Sequence, residues 1–169
     1  MGSSQVPALT SSGTSDNYVL ISSVSPVAAA STVSFTSISG YRKLMFKATG
    51  TTLATAGTLN LTFNGDTGTN YAYAKFNGTS TLSNNQTQVA TNVALGTTNN
   101  TSNPGLLLEI DGITSTGAKT FTGFGNTGGE TTALINGAYI ATAALTTVTW
   151  TTTTTFSGAG TVALYGVVA

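Results

Sequence analysis

Apolar and polar residues alternate along most of this chain. Leu59, Leu61 and Phe63 are interleaved with Thr58, Asn60 and Thr62, which gives one apolar and one polar face at the two-residue period of a strand. Asn64-Gly65-Asp66-Thr67-Gly68-Thr69-Asn70 then breaks the pattern with residues that tolerate positive φ or cap turns, and Tyr71, Tyr73 and Phe76 resume it. The same reading predicts strands over Tyr18–Val24, Thr32–Ile38, Lys43–Thr49, Thr58–Asn64, Tyr71–Phe76, Gln88–Leu95, Leu106–Ile113, Lys119–Gly125, Ala133–Thr142, Thr146–Thr151 and Thr161–Val168. Gly, Asn and Ser clusters such as Asn77-Gly78-Thr79-Ser80 separate them. No stretch carries apolar residues at i, i+3, i+4 and i+7 for three turns.

Many short strands at intervals near ten residues predict an all-β fold, a jelly-roll-like antiparallel β-sandwich. Threonine and glycine together make up about a third of the chain, which favours strands and disfavours helices. Alternation points Val33, Phe35, Leu44, Phe46, Leu59, Leu61, Phe63, Leu106, Leu108, Ile110, Phe121, Ile140, Val148 and Trp150 into the core. The last strand, Val162-Ala163-Leu164-Tyr165-Gly166-Val167-Val168-Ala169, does not alternate. Such a strand is either central with both faces covered or part of a subunit interface. The interface reading is the one adopted, and it makes Val162, Leu164, Tyr165 and Val167 candidate partner-binding residues.

Residues 1–16 are rich in Ser, Thr and Gly with two apolar anchors, Val6 and Leu9. Composition alone suits a disordered tail, and the alternative adopted is an extended N-terminal arm that docks into a groove on a neighbour. Residues 17–169 form the single sandwich domain, and a chain of 169 residues is long enough for one real core.

Charge changes the picture more than length does. Only 6% of residues are charged, against roughly 25% in ordinary globular proteins, and five bases balance five acids. Nothing steers such a chain toward nucleic acid, and little repulsion keeps copies apart. The absence of cysteine and histidine removes thiol nucleophiles, thiolate metal sites and the commonest general base. No triad, Ser-x-x-Lys or Walker A sequence can be assembled, so no enzyme and no cofactor is expected. No apolar run approaches the roughly 20 residues of a membrane span. The N-terminus has neither the basic start nor the apolar core of a signal peptide, so synthesis in a cytoplasm is expected.

The segment from Gly57 to Phe76, GTLNLTFNGDTGTNYAYAKF, resembles the FNGD-(T/S)-G-(S/T)-NY segment of bacteriophage virion proteins built on small β-sandwiches. The end of the chain is similar to the finish of the same proteins, with Ala144–Trp150, then Phe156–Thr161, then Leu164-Tyr165-Gly166-Val167. Together these segments cover about a third of the chain. The resemblance implies a virion structural protein made in the host bacterial cytoplasm. A capsid decoration or cement protein is the first reading, acting as a homotrimer on the phage major capsid protein. The alternative is a tail-fibre or spike module that touches host surface glycan.

Few residues could carry chemistry. Glu109 and Asp111 lie two apart in a strand and so share a face, as a pair of glycosidase carboxylates would, but a solvated face accounts for them equally simply. Asn64, Asp66, Gly68 and Asn70 fall at alternate loop positions, as oxygen donors do in a calcium loop. The loop has one carboxylate and no bidentate Glu, and Asx hydrogen bonds explain the same letters. Tyr71 and Tyr73 share a face, where exposed rings could stack on a sugar or, in the bland reading, cap the core. Asn64, Asp66, Asn70, Tyr71 and Tyr73 are therefore the candidate glycan-contact residues. Arg42 and Lys43, being adjacent, should point to opposite faces and form no patch.

Overall fold

A computed structural model describes residues 16–78, 82–98, 105–126 and 132–169. The regular structure among them is entirely β-strand: β1 (Tyr18–Val24), β2 (Thr32–Phe35), β3 (Tyr41–Thr49), β4 (Gly57–Phe63), β5 (Tyr71–Gly78), β6 (Leu82–Ala90), β7 (Val93–Thr98), β8 (Gly105–Asp111), β9 (Lys119–Asn126), β10 (Thr132–Tyr139), β11 (Val148–Thr152) and β12 (Thr161–Val168). They form an eight-stranded sheet in the order β1-β12-β3-β8-β9-β10-β5-β6 and a four-stranded sheet in the order β2-β11-β4-β7. Every named pairing is antiparallel.

The pairings are nested. β1 pairs with β12, β2 with β11, β3 with β8 and β4 with β7. Strands paired from the outside inward make one long hairpin, and wrapping that hairpin onto itself produces the two four-stranded halves of a jelly roll. The remaining strands β5, β6, β9 and β10 widen one half by pairing onward from β8. The expected jelly-roll-like sandwich is therefore present, with one sheet twice as wide as the other.

The core lies between the sheets. Val33, Phe35, Leu44, Phe46, Leu59, Leu61, Phe63, Leu106, Leu108, Ile110, Phe121, Val148 and Trp150 are all buried in it, as alternation predicts. Phe46 meets Trp150 edge-on at 5.8 Å, and Trp150 leans on Phe156 at 5.1 Å. A second aromatic knot joins Phe63, Tyr71, Phe121 and Tyr139, in which Tyr71 and Tyr139 stack at 4.9 Å. Rings in these geometries contribute about 0.5–1.5 kcal/mol per pair beyond the area they bury.

Two expectations are corrected. Ile140 is exposed, because β10 ends at Tyr139 and the inward positions of that strand fall to Ile135 and Tyr139. The predicted strand over 88–95 is two strands, β6 and β7, separated by a reversal at Thr91-Asn92. That reversal lacks the Gly or Pro that marks most turns.

Candidate functional site

The loop between β4 and β5 was one sequence candidate, and its groups are occupied with one another. Asn64 adopts a left-handed backbone (φ 54°), as Asn tolerates. Its amide oxygen accepts the backbone N–H groups of Thr146 (2.8 Å) and Thr147 (3.1 Å), and its Nδ2 donates to the Ala144 carbonyl (2.9 Å). Asp66 accepts from the Gly68 N–H (2.7 Å), from Asn70 Nδ2 (2.8 Å) and from the Tyr139 hydroxyl (2.9 Å). The hydrogen bond from Asn70, joined by those from Gly68 and Tyr139, holds its carboxyl below the usual carboxylate range. Asn64 thus stitches the loop to residues 144–147, while Asp66, braced by Asn70, ties it to Tyr139. Among the described residues, no group of three or more His, Cys, Asp or Glu side chains could hold a metal ion.

The tyrosines face the core, so of their two readings the core-capping one holds and the glycan-contact one is corrected. Tyr71 is fully buried. Its hydroxyl accepts the Phe63 N–H (2.9 Å) and donates to the Asp66 carbonyl (3.0 Å). Burial pushes its pKa up to about 12. Tyr73 is half-buried against the core, and its hydroxyl accepts the Ala94 N–H at 3.1 Å. The reason is register: Tyr71, Tyr73 and Lys75 share the inner face of β5 with Tyr139, Gly137 and Ile135 opposite.

The C-terminal strand is central, flanked by β1 and β3, so its unbroken apolar pattern is that of a central strand and the interface is not needed to explain it. Val162 and Leu164 belong to the core, which removes them as partner-binding residues. On the outer side Val167 is also buried and Tyr165 is half-buried between Leu20 and Met45. Val6 and Leu9 lie outside the described residues.

Glu109 and Asp111 share the outer face of β8, but they belong to an ion cluster. Lys43 Nζ lies 3.1 Å from Glu109, 3.8 Å from Asp111 and 3.5 Å from Asp16. Arg42 reaches the same Asp16 at 2.5 Å. A register shift between Val167 and Val168 beside this end of β3 accompanies this, so adjacent Arg42 and Lys43 do converge, contrary to the alternation argument. Tyr18 donates its hydroxyl to Glu109 at 2.8 Å. That bond, with Lys43, keeps Glu109 below its usual pKa, while burial and Glu109 push Tyr18 up to about 12.

One feature of this outer face had no counterpart among the sequence candidates. Phe76, Leu134, Phe124, Leu107, Lys47 and Ala163 stand opposite one another in register across β5, β10, β9, β8, β3 and β12. Phe76, Leu134 and Phe124 are 41%, 48% and 58% exposed. A depression of about 420 Å³ opens beside Lys47, Leu107 and Phe124, near the ends of β3, β8 and β9. A second exposed apolar group follows the edge strand β1, where Val19, Leu20 and Val24 stand open, and Val168 beside them. Comparison with protein-family models, with curated proteins and with solved structures finds no match for this chain.

Proposed function

We propose that this protein is a structural component of a phage virion, a decoration or cement protein on the surface of the head. It acts as a homotrimer through contacts with its own copies and with the major capsid protein, and it carries out no catalysis. The FNGDTGTNY and LYGV segments support the virion reading, and the jelly roll is compatible with it without deciding it.

The observation that carries the assembly reading is the edge strand β1. An edge strand offers a row of unpaired backbone N–H and C=O groups, and monomeric proteins usually protect it with charge, proline or cover. The sequence of β1, YVLISSV, contains no charge and no proline, and its only irregularity is a register shift between Leu20 and Ser22. With so few charges in the chain, little opposes a second copy there. An interface of roughly 1,600 Å², repeated around a shell, suffices for cementing.

Two experiments test this. Sedimentation of the purified protein is expected to give a trimer, and Leu20→Lys to give a folded monomer. An unchanged oligomer in Leu20→Lys would remove β1 as the contact. Gold-labelled antibody imaged on intact virions should decorate the head evenly. Label confined to the tail tip would favour the host-glycan reading instead, and particles without label would overturn the virion reading altogether.

A further inference from the structure

We infer that the apolar row on the outer face of the wide sheet is the seat of residues 1–15 of the same chain, with Val6 and Leu9 as its anchors. This assignment is independent of the virion reading. Three observations support it.

The first is direction. The side chains of Asp16 and Tyr18 already lie on the outer face. Asp16 binds Arg42 and Lys43 on β3, two strands in from the edge, and the Tyr18 side chain reaches Glu109 on β8, three strands in. Asp16 thus tethers the arm on the side of the sheet that carries the row.

The second is reach. From Lys43 to the row is four residues along β3 and two strand spacings across to β9, a diagonal of about 17 Å at about 3.4 Å per residue and about 4.8 Å per strand. The stretch from Leu9 to Asp16 spans up to about 24 Å when extended. Leu9 can thus lie at Phe124, with Val6 a few residues further along the row.

The third is chemistry. The depression beside Leu107 and Phe124 is apolar, open, and about 420 Å³ in volume, so aliphatic side chains fit it. Val6-Pro7-Ala8-Leu9 is the only apolar run before Val19. Tethering favours the chain's own copy, because a short linker holds its end at an effective concentration in the millimolar range.

The chain has no cysteine, so disulfide trapping is unambiguous. Leu9→Cys combined with Phe124→Cys should oxidise to an intramolecular disulfide at least ten times faster than Leu9→Cys with Thr120→Cys, an exposed position on the same face of the same strand. Equal rates would mean an unattached tail and would overturn the assignment. Disulfide-linked dimers would also overturn it by placing the arm on a neighbour. As a second measurement, deleting residues 1–15 should raise binding of an apolar dye severalfold while leaving near-UV circular dichroism unchanged. Unchanged dye binding would show that the row was never covered.

Discussion

The Tyr139 hydroxyl donates a 2.9 Å hydrogen bond to the Asp66 carboxylate, tying a core strand of the wide sheet to the loop that leaves the narrow one. Asp66→Ala would strand that hydroxyl together with the Gly68 N–H and the Asn70 amide. We expect a loss on the order of 1–3 kcal/mol in urea unfolding. Because the folded-state pKa of Asp66 is depressed, its contribution is present above the unfolded value near 4 and is lost as pH falls through the folded value. The urea midpoint measured between pH 6 and 2 should therefore fall more steeply for the wild type than for Asp66→Asn.

The same hydrogen bonds decide the calcium question. Both Asp66 oxygens already accept donors, and Asn64 spends its amide on residues 144, 146 and 147. Adding millimolar calcium should leave the melting temperature where it was. A rise of several degrees would show that the loop rearranges to hold the ion.

Tyr71 and Tyr139 make stability sensitive to base. Burial raises both hydroxyls, Tyr71 to about 12 and Tyr139 further, with Asp66 adding to the shift. A raised folded-state pKa contributes stability that is complete below the unfolded value near 10 and is lost as pH climbs through the folded value. The denaturation midpoint should thus drop between about pH 10 and 12. Lys119 acts in the opposite sense, since burial lowers its pKa, so the comparison that isolates the tyrosine is Tyr71→Phe against wild type. Tyr71→Phe should be less stable at neutral pH and lose less on going to high pH.

Gly137 sits on the inner face of β10 with the Phe121 ring over it. A Cβ there would lie 2.4 Å from the Ala72 carbonyl oxygen and 2.7 Å from Phe121 Cζ. Gly137→Ala should cost about 1–3 kcal/mol through overpacking, whereas Ala138→Ser, on the outer face, should be near neutral. Equal midpoints for the two variants would mean that the sheet absorbs the extra carbon by shifting.

Trp150 is the only tryptophan, is fully buried, and has an indole N–H with no hydrogen-bond partner among the described residues. Its ring sits between Phe46 of the wide sheet and Phe156. Its fluorescence should be strongly blue-shifted in the folded state and should move to the red in one step with loss of β-sheet circular dichroism. Two separate steps would show that the sheets part before the strands unpair.

The core was legible in the sequence because most strands keep one face apolar. β1 and β12 begin and end where the residue pattern says they do. The outer row was not legible, because glycines invert the phase. Gly123, Gly125 and Gly137 occupy inner positions of β9 and β10, which puts Phe124 and Leu134 outside although they are the larger side chains. An alternation argument counts bulk and cannot see that an inner position is filled by the ring of Phe121 from the next strand. The glycan reading of the tyrosines failed for a related reason, while the alternative that they cap the core held. Tyr71 and Tyr73 were correctly placed on one face, but which face is inner depends on Tyr139 and Phe121, more than forty residues away in sequence. The ion cluster needed a register shift that no local pattern announces.

The nesting of strand pairs has a bearing on how the protein is born. β12 is the last strand in the sequence, yet it lies between β1 and β3. Until a ribosome has delivered residues through Val168, a nascent chain holds both of those strands without their shared neighbour. β3 then shows an unpaired edge lined with Leu44 and Phe46. Sheets dominated by such distant pairings fold slowly, and their incomplete forms aggregate readily. A host making many copies at once would therefore yield more soluble protein when translation finishes quickly relative to collisions between unfinished chains, as at low temperature and low expression level.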